Sequence, residues 1–503
     1  MVPSTYRRAG SGSRGRIDGA SARAFARVDW APCAANRHEL FVTYAHNRFA
    51  IPLDPTATPY DPSQPDGGRV PDAFGNDAPA YVPRDTDARE TEDELFAAYA
   101  FTHAFADGGT LALAPTYKLS RGALFGDAAR ALGPTADPGA TASDVTRLAH
   151  HLGATASYAR TLGAHAIKLG AGADLLVGRT TYVAYGRDDD AGALDPALTV
   201  RGVDRTSALT TGAYAQDRIT TGRWVIDAGV RVDELHVSLD GGGTDDALGV
   251  SPRLGAAFAP TKDAVVHAFA GVLWQPPAPL DAASAARALG AVPPGQVVRY
   301  DLRPETSAYG ELGAAARLAG ALRGGLTAWG RYAWNQLDDT AVGATSLLSN
   351  YNFARGRAAG LEATLDLRVG PWLSAFANGS LGLAQGQEIR SARYLFGADD
   401  LASAAWQTLD HAQTLTANLG ATVREGRFTL TGVASYGSGL RTGPANTDHV
   451  PGHVHADVSM QYTFVSHGYP IRVATDVVNV LDARYAYRIA NGFVGSAYAA
   501  PRS

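Results

Sequence analysis

Along residues 453 to 464 every second position is apolar. Val454, Ala456, Val458, Met460, Tyr462 and Phe464 alternate with His453, His455, Asp457, Ser459, Gln461 and Thr463. A strand points successive side chains to opposite faces, so one face of this segment suits an apolar medium and the other suits water. After Ser466-His467-Gly468-Tyr469-Pro470 the alternation resumes, with Ile471, Val473, Thr475 and Val477 against Arg472, Ala474, Asp476 and Val478. The two segments read as a hairpin with one greasy side.

The unit repeats through the chain. Strands are expected at about 22–30 and 39–46, 93–105 and 110–118, 145–160 and 164–180, 205–219 and 223–238, and 249–259 and 264–273. The series continues at 306–318 and 323–336, 353–369 and 372–385, and 412–424 and 427–439, making about eighteen strands with the tail hairpin. Leu361, Ala363, Leu365, Leu367 and Val369 against Glu362, Thr364, Asp366 and Arg368 form the clearest two-faced run outside the tail. Short turns and long connections alternate throughout, the longest being the Pro-, Asp- and Gly-rich stretch from Ile51 to Thr91. A membrane β-barrel requires this alternation, with short turns on the periplasmic side and long loops outside. The strands reach or exceed the roughly 9 to 11 residues that cross a bilayer at a tilt, and backbone groups in lipid must all be paired, so they must form a ring. Ala-rich Leu280–Leu289, with Asp281 near its start and Gly290 at its end, is expected to be a short packing helix in one of the long loops.

Composition fits this pattern. The 503 residues are 46% hydrophobic, with 56 glycines and 21 tyrosines, as suits a large antiparallel β protein with interfacial aromatics. A net charge of -5 and the absence of Lys/Arg blocks argue against a nucleic-acid partner. No apolar run approaches the roughly 18 residues of a spanning helix, a test that barrels escape because only alternate residues face lipid. The one cysteine, Cys33, reads as a small turn residue. Residues 1–19 are Gly-, Ser- and Arg-rich without periodicity and are expected to be irregular; residues 20–503 form the β domain.

No catalytic constellation emerges, and neither an enzyme activity nor a cofactor is expected. His150-His151, and His453 with His455, have no Cys or carboxylate cluster to complete a metal site. Asp188-Asp189-Asp190 and Gly241 to Asp246 lack the spacing of a calcium loop and read as solvated tips. The glycine triplet at 241–243 is not followed by the Lys-Ser/Thr of a phosphate cradle. Trp224, Trp274, Trp329, Trp334, Trp372 and Trp406 fall near expected strand ends or in loops, where membrane-interface anchoring is the expected role. Trp274 and Trp406 are the candidates for stacking on a ligand in the outer loops.

Several strings, each weak singly, occur in order on the strands placed by periodicity. They are Tyr214-Ala215-Gln216-Asp217-Arg218, Asp227-Ala228-Gly229-Val230-Arg231, Ser251-Pro252-Arg253-Leu254-Gly255 with Ala259-Pro260-Thr261, and Arg303-Pro304-Glu305-Thr306 with Glu311. Gly360-Leu361-Glu362, Leu409-Asp410-His411, Tyr436-Gly437-Ser438-Gly439 and Asn479-Val480-Leu481-Asp482-Ala483-Arg484-Tyr485 follow. In this order the chain resembles the β-barrel domain of TonB-dependent outer-membrane receptors, over nearly its whole length, with Asn479, Asp482 and Tyr485 as its motif residues.

The resemblance implies a transmembrane antiparallel barrel of 22 strands, about 18 of them in this chain, in the outer membrane of a Gram-negative cell. Its implied partners are outer-membrane lipid, a small-molecule ligand, and, for a full-length receptor, the TonB energy-transducing complex. The implied role is binding and uptake of a scarce nutrient, of siderophore, cobalamin or carbohydrate class; the alternative is a passive pore or a non-functional fragment. Strand parity counted back from the tail makes the first strand number 4. About three strands and a plug are therefore expected to be missing in front and one strand behind, leaving one edge of the tail hairpin unpaired.

Overall fold

The computed structural model describes residues 4–6, 19–50, 87–132, 142–188, 193–239, 243–278, 301–341, 348–396, 401–442, 446–488, 497–498 and 502. Eighteen long strands build a single wall. They are β1 (Gly19–Cys33), β2 (Asn36–Ala50), β3 (Arg89–Ala104), β4 (Thr110–Phe125), β5 (Ala142–Leu162) and β6 (His165–Asp188). Next come β7 (Ala193–Thr221), β8 (Trp224–Leu239), β9 (Gly243–Thr261), β10 (Ala264–Gln275), β11 (Glu305–Ala319) and β12 (Leu322–Ala341). The last six are β13 (Leu348–Val369), β14 (Leu373–Ile389), β15 (Leu415–Glu425), β16 (Phe428–Gly437), β17 (His453–Ser466) and β18 (Tyr469–Val477).

Each strand pairs antiparallel with the next in chain order, and two short segments bring the sheet to 20 strands. Of these, Ser4–Tyr6 pairs with Gly19, Ala20 and Ser21 at the edge of β1. Trp406–Thr408 lies beside Gln385, Gly386 and Gln387, above the end of β15. Leu280–Leu289 lies outside the described residues.

The described two- to five-residue turns, from the one between β1 and β2 to the one between β17 and β18, fall at one end, which is the periplasmic end by the rule for membrane barrels. His467-Gly468 between β17 and β18 shows why they are tight. Both residues take positive φ, 51° at His467 and 81° at Gly468, and the two-residue loop follows the twist of the strands it joins. At the other end several strands run past the expected boundaries. β6 and β7 pair as far as Asp188 with Ala193, although the sequence between 193 and 204 reads as loop. Beyond the bilayer both faces meet water, so pairing continues after the two-faced pattern has faded.

Registers sort the wall into two faces. On β13, Leu361, Ala363, Leu365 and Leu367 lie opposite Leu381, Gly379, Ala377 and Ala375 of β14, and Leu361 and Leu365 are well exposed. The alternate face carries Glu362, Thr364 and Asp366 opposite Ser380, Asn378 and Phe376. The same split holds on β17, where exposed Val454, Met460 and Tyr462 alternate with His453, Asp457 and Gln461. The polar face is laced by ion pairs such as Lys118 with Glu94 at 3.0 Å and Arg218 with Asp227 at 2.7 Å.

Aromatic rings border the apolar face at both ends, as expected of side chains that straddle hydrocarbon and headgroups. Near the turns, Trp30 stacks on His38 at 4.8 Å and Trp224 lies 4.6 Å from Phe258. Toward the outer end stand Tyr44, Tyr117 with its hydroxyl 3.0 Å from His150 Nδ1, and Tyr332 beside Trp334 at 5.1 Å. Trp329 departs from the expected belt position. It projects from the polar face, its Nε1 donates to Glu362 Oε1 at 3.1 Å, and its ring covers Gly360 so closely that a Cβ there would lie 2.8 Å away.

β18 pairs with β17 along one side, and among the described residues no partner is seen on its other side. Its residues from Tyr469 to Asp476 are exposed.

Candidate functional site at the outer end of the wall

Two local structures stand on the polar face and at the outer end of the wall. The first is the tail string. After Val477 the chain leaves the ladder: Val480 N donates to Ala456 O at 2.7 Å and Asn479 N to Asp457 Oδ1 at 2.7 Å. Asn479 then clamps the turn with both ends of its amide, Nδ2 donating to Ala483 O and Oδ1 accepting from Ala483 N, each at 2.9 Å. Asn479 and Asp482 hold φ of 51° and 50°, the left-handed region that Asn and Asp tolerate best after glycine. The turn delivers Tyr485 onto the polar face of β17. Its ring stacks on His453 at 3.9 Å and its hydroxyl lies 3.1 Å from His455 Nδ1.

The two histidines are therefore held by one tyrosine, which accounts for their shared face without a metal. His150 and His151, adjacent in sequence, point to opposite faces, toward Tyr117 and Asp174 respectively, and so share no site. Among the described residues no group of three His, Cys, Asp or Glu side chains is arranged to hold a metal. Asn479→Ala should remove both amide bonds and cost about 1–3 kcal/mol of local stability, with faster hydrogen exchange at Ala483. Asn479→Gly loses the same bonds but keeps the positive φ at no steric cost, so it should exchange more slowly than the alanine variant.

The second structure is an anchored strap at the outer end. The strap, residues 301–304, crosses the tops of β12, β13 and β14 before β11 begins at Glu305. Asn352, with no exposed surface, receives it: Oδ1 accepts from Arg303 N at 2.9 Å, while Nδ2 donates to Arg303 O at 3.0 Å and to Asn335 O at 2.7 Å. Ser391 Oγ donates to Asn352 Oδ1 at 2.9 Å and accepts from Asn352 N at 2.7 Å. Glu305, also buried, accepts from Leu337 N at 3.0 Å and forms an ion pair with Arg331. The Arg303-Pro304-Glu305 string thus pins three strand ends together. A buried apolar cluster of Tyr351, Phe353, Ile389, Ala392 and Leu409 lies beside it.

Asp301 accepts from Ala392 N at 3.1 Å. Burial pushes its carboxyl above the ordinary value, the Ala392 N–H pulling the other way. For an acid raised on folding, the stabilising contribution is fully present below the ordinary value of 3.8 and is lost as pH rises through the raised one. Asp301→Asn keeps an acceptor for Ala392 and removes the charge. Exchange protection at Leu302 and Arg303, corrected for intrinsic rates, should fall with rising pH in the parent chain and stay level in the variant.

Above the pair Arg253 and Gly271, β9 and β10 part. A cavity of about 510 Å³ opens there, between Asp245, Asp246 and Leu248 on one side and Trp274, Thr306 and the strap on the other. Trp274 also packs against a buried cluster of Leu176, Ala208, Leu235 and Val237, and its ring covers Gly249. Trp406 is elsewhere: the Arg357 guanidinium lies 4.2 Å from its ring centroid, on the face carrying the lipid-side residues of β13. The structure therefore does not bring Trp274 and Trp406 together. The strap residues Asn352 and Ser391 were not candidates from sequence, because an isolated Asn or Ser carries no periodic signal; Arg303-Pro304-Glu305 was the legible half.

The family model for the TonB dependent receptor-like β-barrel matches residues 35–480. A search of curated protein sequences returns no match. Among solved structures, the chain is similar to that of the FpvAI-pyocin S2 complex, with a TM-score of 0.71 and 13% identity over 98% of this chain and 66% of that one. It is similar to the ferric yersiniabactin uptake receptor FyuA from Yersinia pestis, with a TM-score of 0.71 and 12% identity over 96% and 69%. It also matches the ferric citrate transporter FecA, with a TM-score of 0.68 and 16% identity over 97% and 69%. The chain spans about two thirds of the length of these structures. With two faces, turns at one end and the tail motif in place, and the family model covering most of its length, the chain belongs to the TonB-dependent receptors and carries their β-barrel wall.

Proposed function

We propose that this chain forms the outer-membrane wall of a receptor that binds a scarce nutrient at its outer end and takes it up with energy from TonB. The observation that carries the reading is the family match over residues 35–480, laid on a wall whose polar face is lined by ion pairs and whose outer end holds a pinned strap and a cavity. Ferric chelates are the first ligand class to test, because similar structures are described as a ferric citrate transporter, a ferric yersiniabactin uptake receptor and a ferric preacinetobactin receptor. Cobalamin and carbohydrates come second. The proposed role is recognition and gating rather than bond-breaking.

The test is equilibrium binding of a panel of ferric chelates, cobalamin and oligosaccharides to the purified chain, read by quenching of tryptophan fluorescence, with Trp274→Phe alongside. Saturable binding of one ligand class supports the receptor. Large currents in planar bilayers that no member of the panel blocks support the alternative, a passive pore.

A further inference from the structure

Above the lipid-facing run of β13, from Val369 to Ala359, the next outward positions are Arg357 and Arg355. That run covers the roughly 9 to 11 residues needed to cross a bilayer, so both guanidinium groups stand where hydrocarbon gives way to headgroups. Arg355 pairs across with Trp334, and Arg357 with Tyr332, the two rings of the outer belt. A cavity of about 690 Å³ opens on this surface, lined by Tyr332, Trp334, Arg355, Glu388 and Arg390. Arg390 is tied to Asn335 Oδ1 at 3.2 Å and Arg357 to Gln385 Oε1 at 2.8 Å, which fixes their positions. The Arg355 guanidinium has no hydrogen bond or ion pair among the described residues. Two arginines and one carboxylate leave the cavity itself net positive, with Arg357 adding to the field.

Arginine presents a planar fork suited to phosphate oxygens, and an exposed guanidinium beside an aromatic belt meets the charged layer of a lipid before anything else. We infer that the outward cavity at Tyr332, Trp334, Arg355 and Arg390 binds the phosphate-bearing headgroup of an outer-leaflet lipid. The aromatic pair packs on the upper part of the acyl region while Arg355 and Arg390 close on the phosphate, with Glu388 accepting from a sugar or amine group of the same headgroup. The inference rests on the proposal that the wall sits in the outer membrane.

The test uses the full chain inserted into phosphatidylcholine vesicles doped with bisphosphorylated lipid A or with its dephosphorylated form. Insertion is first established by heat-modifiable mobility, and retained glycolipid is then measured by mass spectrometry after extraction and detergent exchange. The parent chain is expected to retain the bisphosphorylated form, and Arg355→Gln with Arg390→Gln to lower that retention by about tenfold or more. Arg424→Gln with Arg427→Gln, at the opposite end of the wall, serves as the charge-matched control and is expected to retain lipid like the parent. Equal retention of the dephosphorylated form overturns the inference, as does unchanged retention in the double variant. Displacement of the lipid by inorganic phosphate alone also overturns it, by showing a free-anion site. Failure of the parent chain to insert would instead count against the membrane reading itself.

Discussion

Leu365→Arg is expected to destabilise the inserted wall by about 2–4 kcal/mol, and Thr364→Arg, one residue away, by well under half as much. Leu365 lies near the middle of the apolar run of β13, is 45% exposed, and lies opposite Gly324 and Ala377 on the neighbouring strands. Exposed leucines at this density would be a liability in water, but in hydrocarbon they are the solvated face. A guanidinium placed there must lose its hydration or drag water and headgroups inward. Thr364 points to the other face, opposite Gly325 and Asn378, among polar neighbours. Urea titration of the chain folded into vesicles measures the difference. A water-soluble sheet would show the two variants alike.

The second large effect is expected at Asn352. Replacing it with alanine removes the acceptor for Arg303 N and the donor to Arg303 O and Asn335 O, and strands Ser391 Oγ without its carbonyl partner. Buried polar groups left unpaired cost about 1–3 kcal/mol each, and those in one network do not fail independently, so a loss of about 3–5 kcal/mol in strap docking is expected. Hydrogen exchange at residues 301–306 should accelerate by two orders of magnitude or more at that cost, while the mid-wall amides of β13 change little. Asn352→Asp keeps the acceptor but sets a buried carboxylate oxygen against the Arg303 and Asn335 carbonyls, and should cost at least as much as alanine.

Period-two alternation carries far in a membrane wall because one face meets hydrocarbon. The contrast between Leu361, Ala363, Leu365 and Glu362, Thr364, Asp366 is a direct record of two solvents, and so is that of Val454 to Phe464 against His453 to Thr463. Where both faces meet water the record stops. The outer extensions of β6 and β7, with Thr180, Thr181, Arg201 and Asp204, continue the ladder without an apolar face to reveal them. Likewise β3 begins at Arg89, and its acidic start looks like loop until its neighbours are seen: Asn47 donates to Glu92 at 3.2 Å and Arg121 to Asp93 at 3.1 Å.

The site was legible in part. The tail string announced itself by motif, but its work, an asparagine clamp that lays Tyr485 on His453 and His455, depends on a contact across 30 residues. Trp329 looked like a belt residue because tryptophan is common there; the register with Gly360 and Glu362 turns it to the polar face instead. Trp274 and Trp406 were grouped by their position in loops, and the fold separates them into a packed mouth and an outward arginine patch.

The central claim is that this wall crosses a bilayer with alternate residues in lipid. Cys33 is the one cysteine, so a Cys33→Ser background allows single cysteines to be placed at each position from 358 to 368 of β13 and labelled with a fluorophore. In vesicles containing a lipid-borne quencher, odd positions should be quenched and even positions should respond to a water-soluble quencher, with strict period two. Uniform response to the water-soluble quencher along the whole segment would contradict the account.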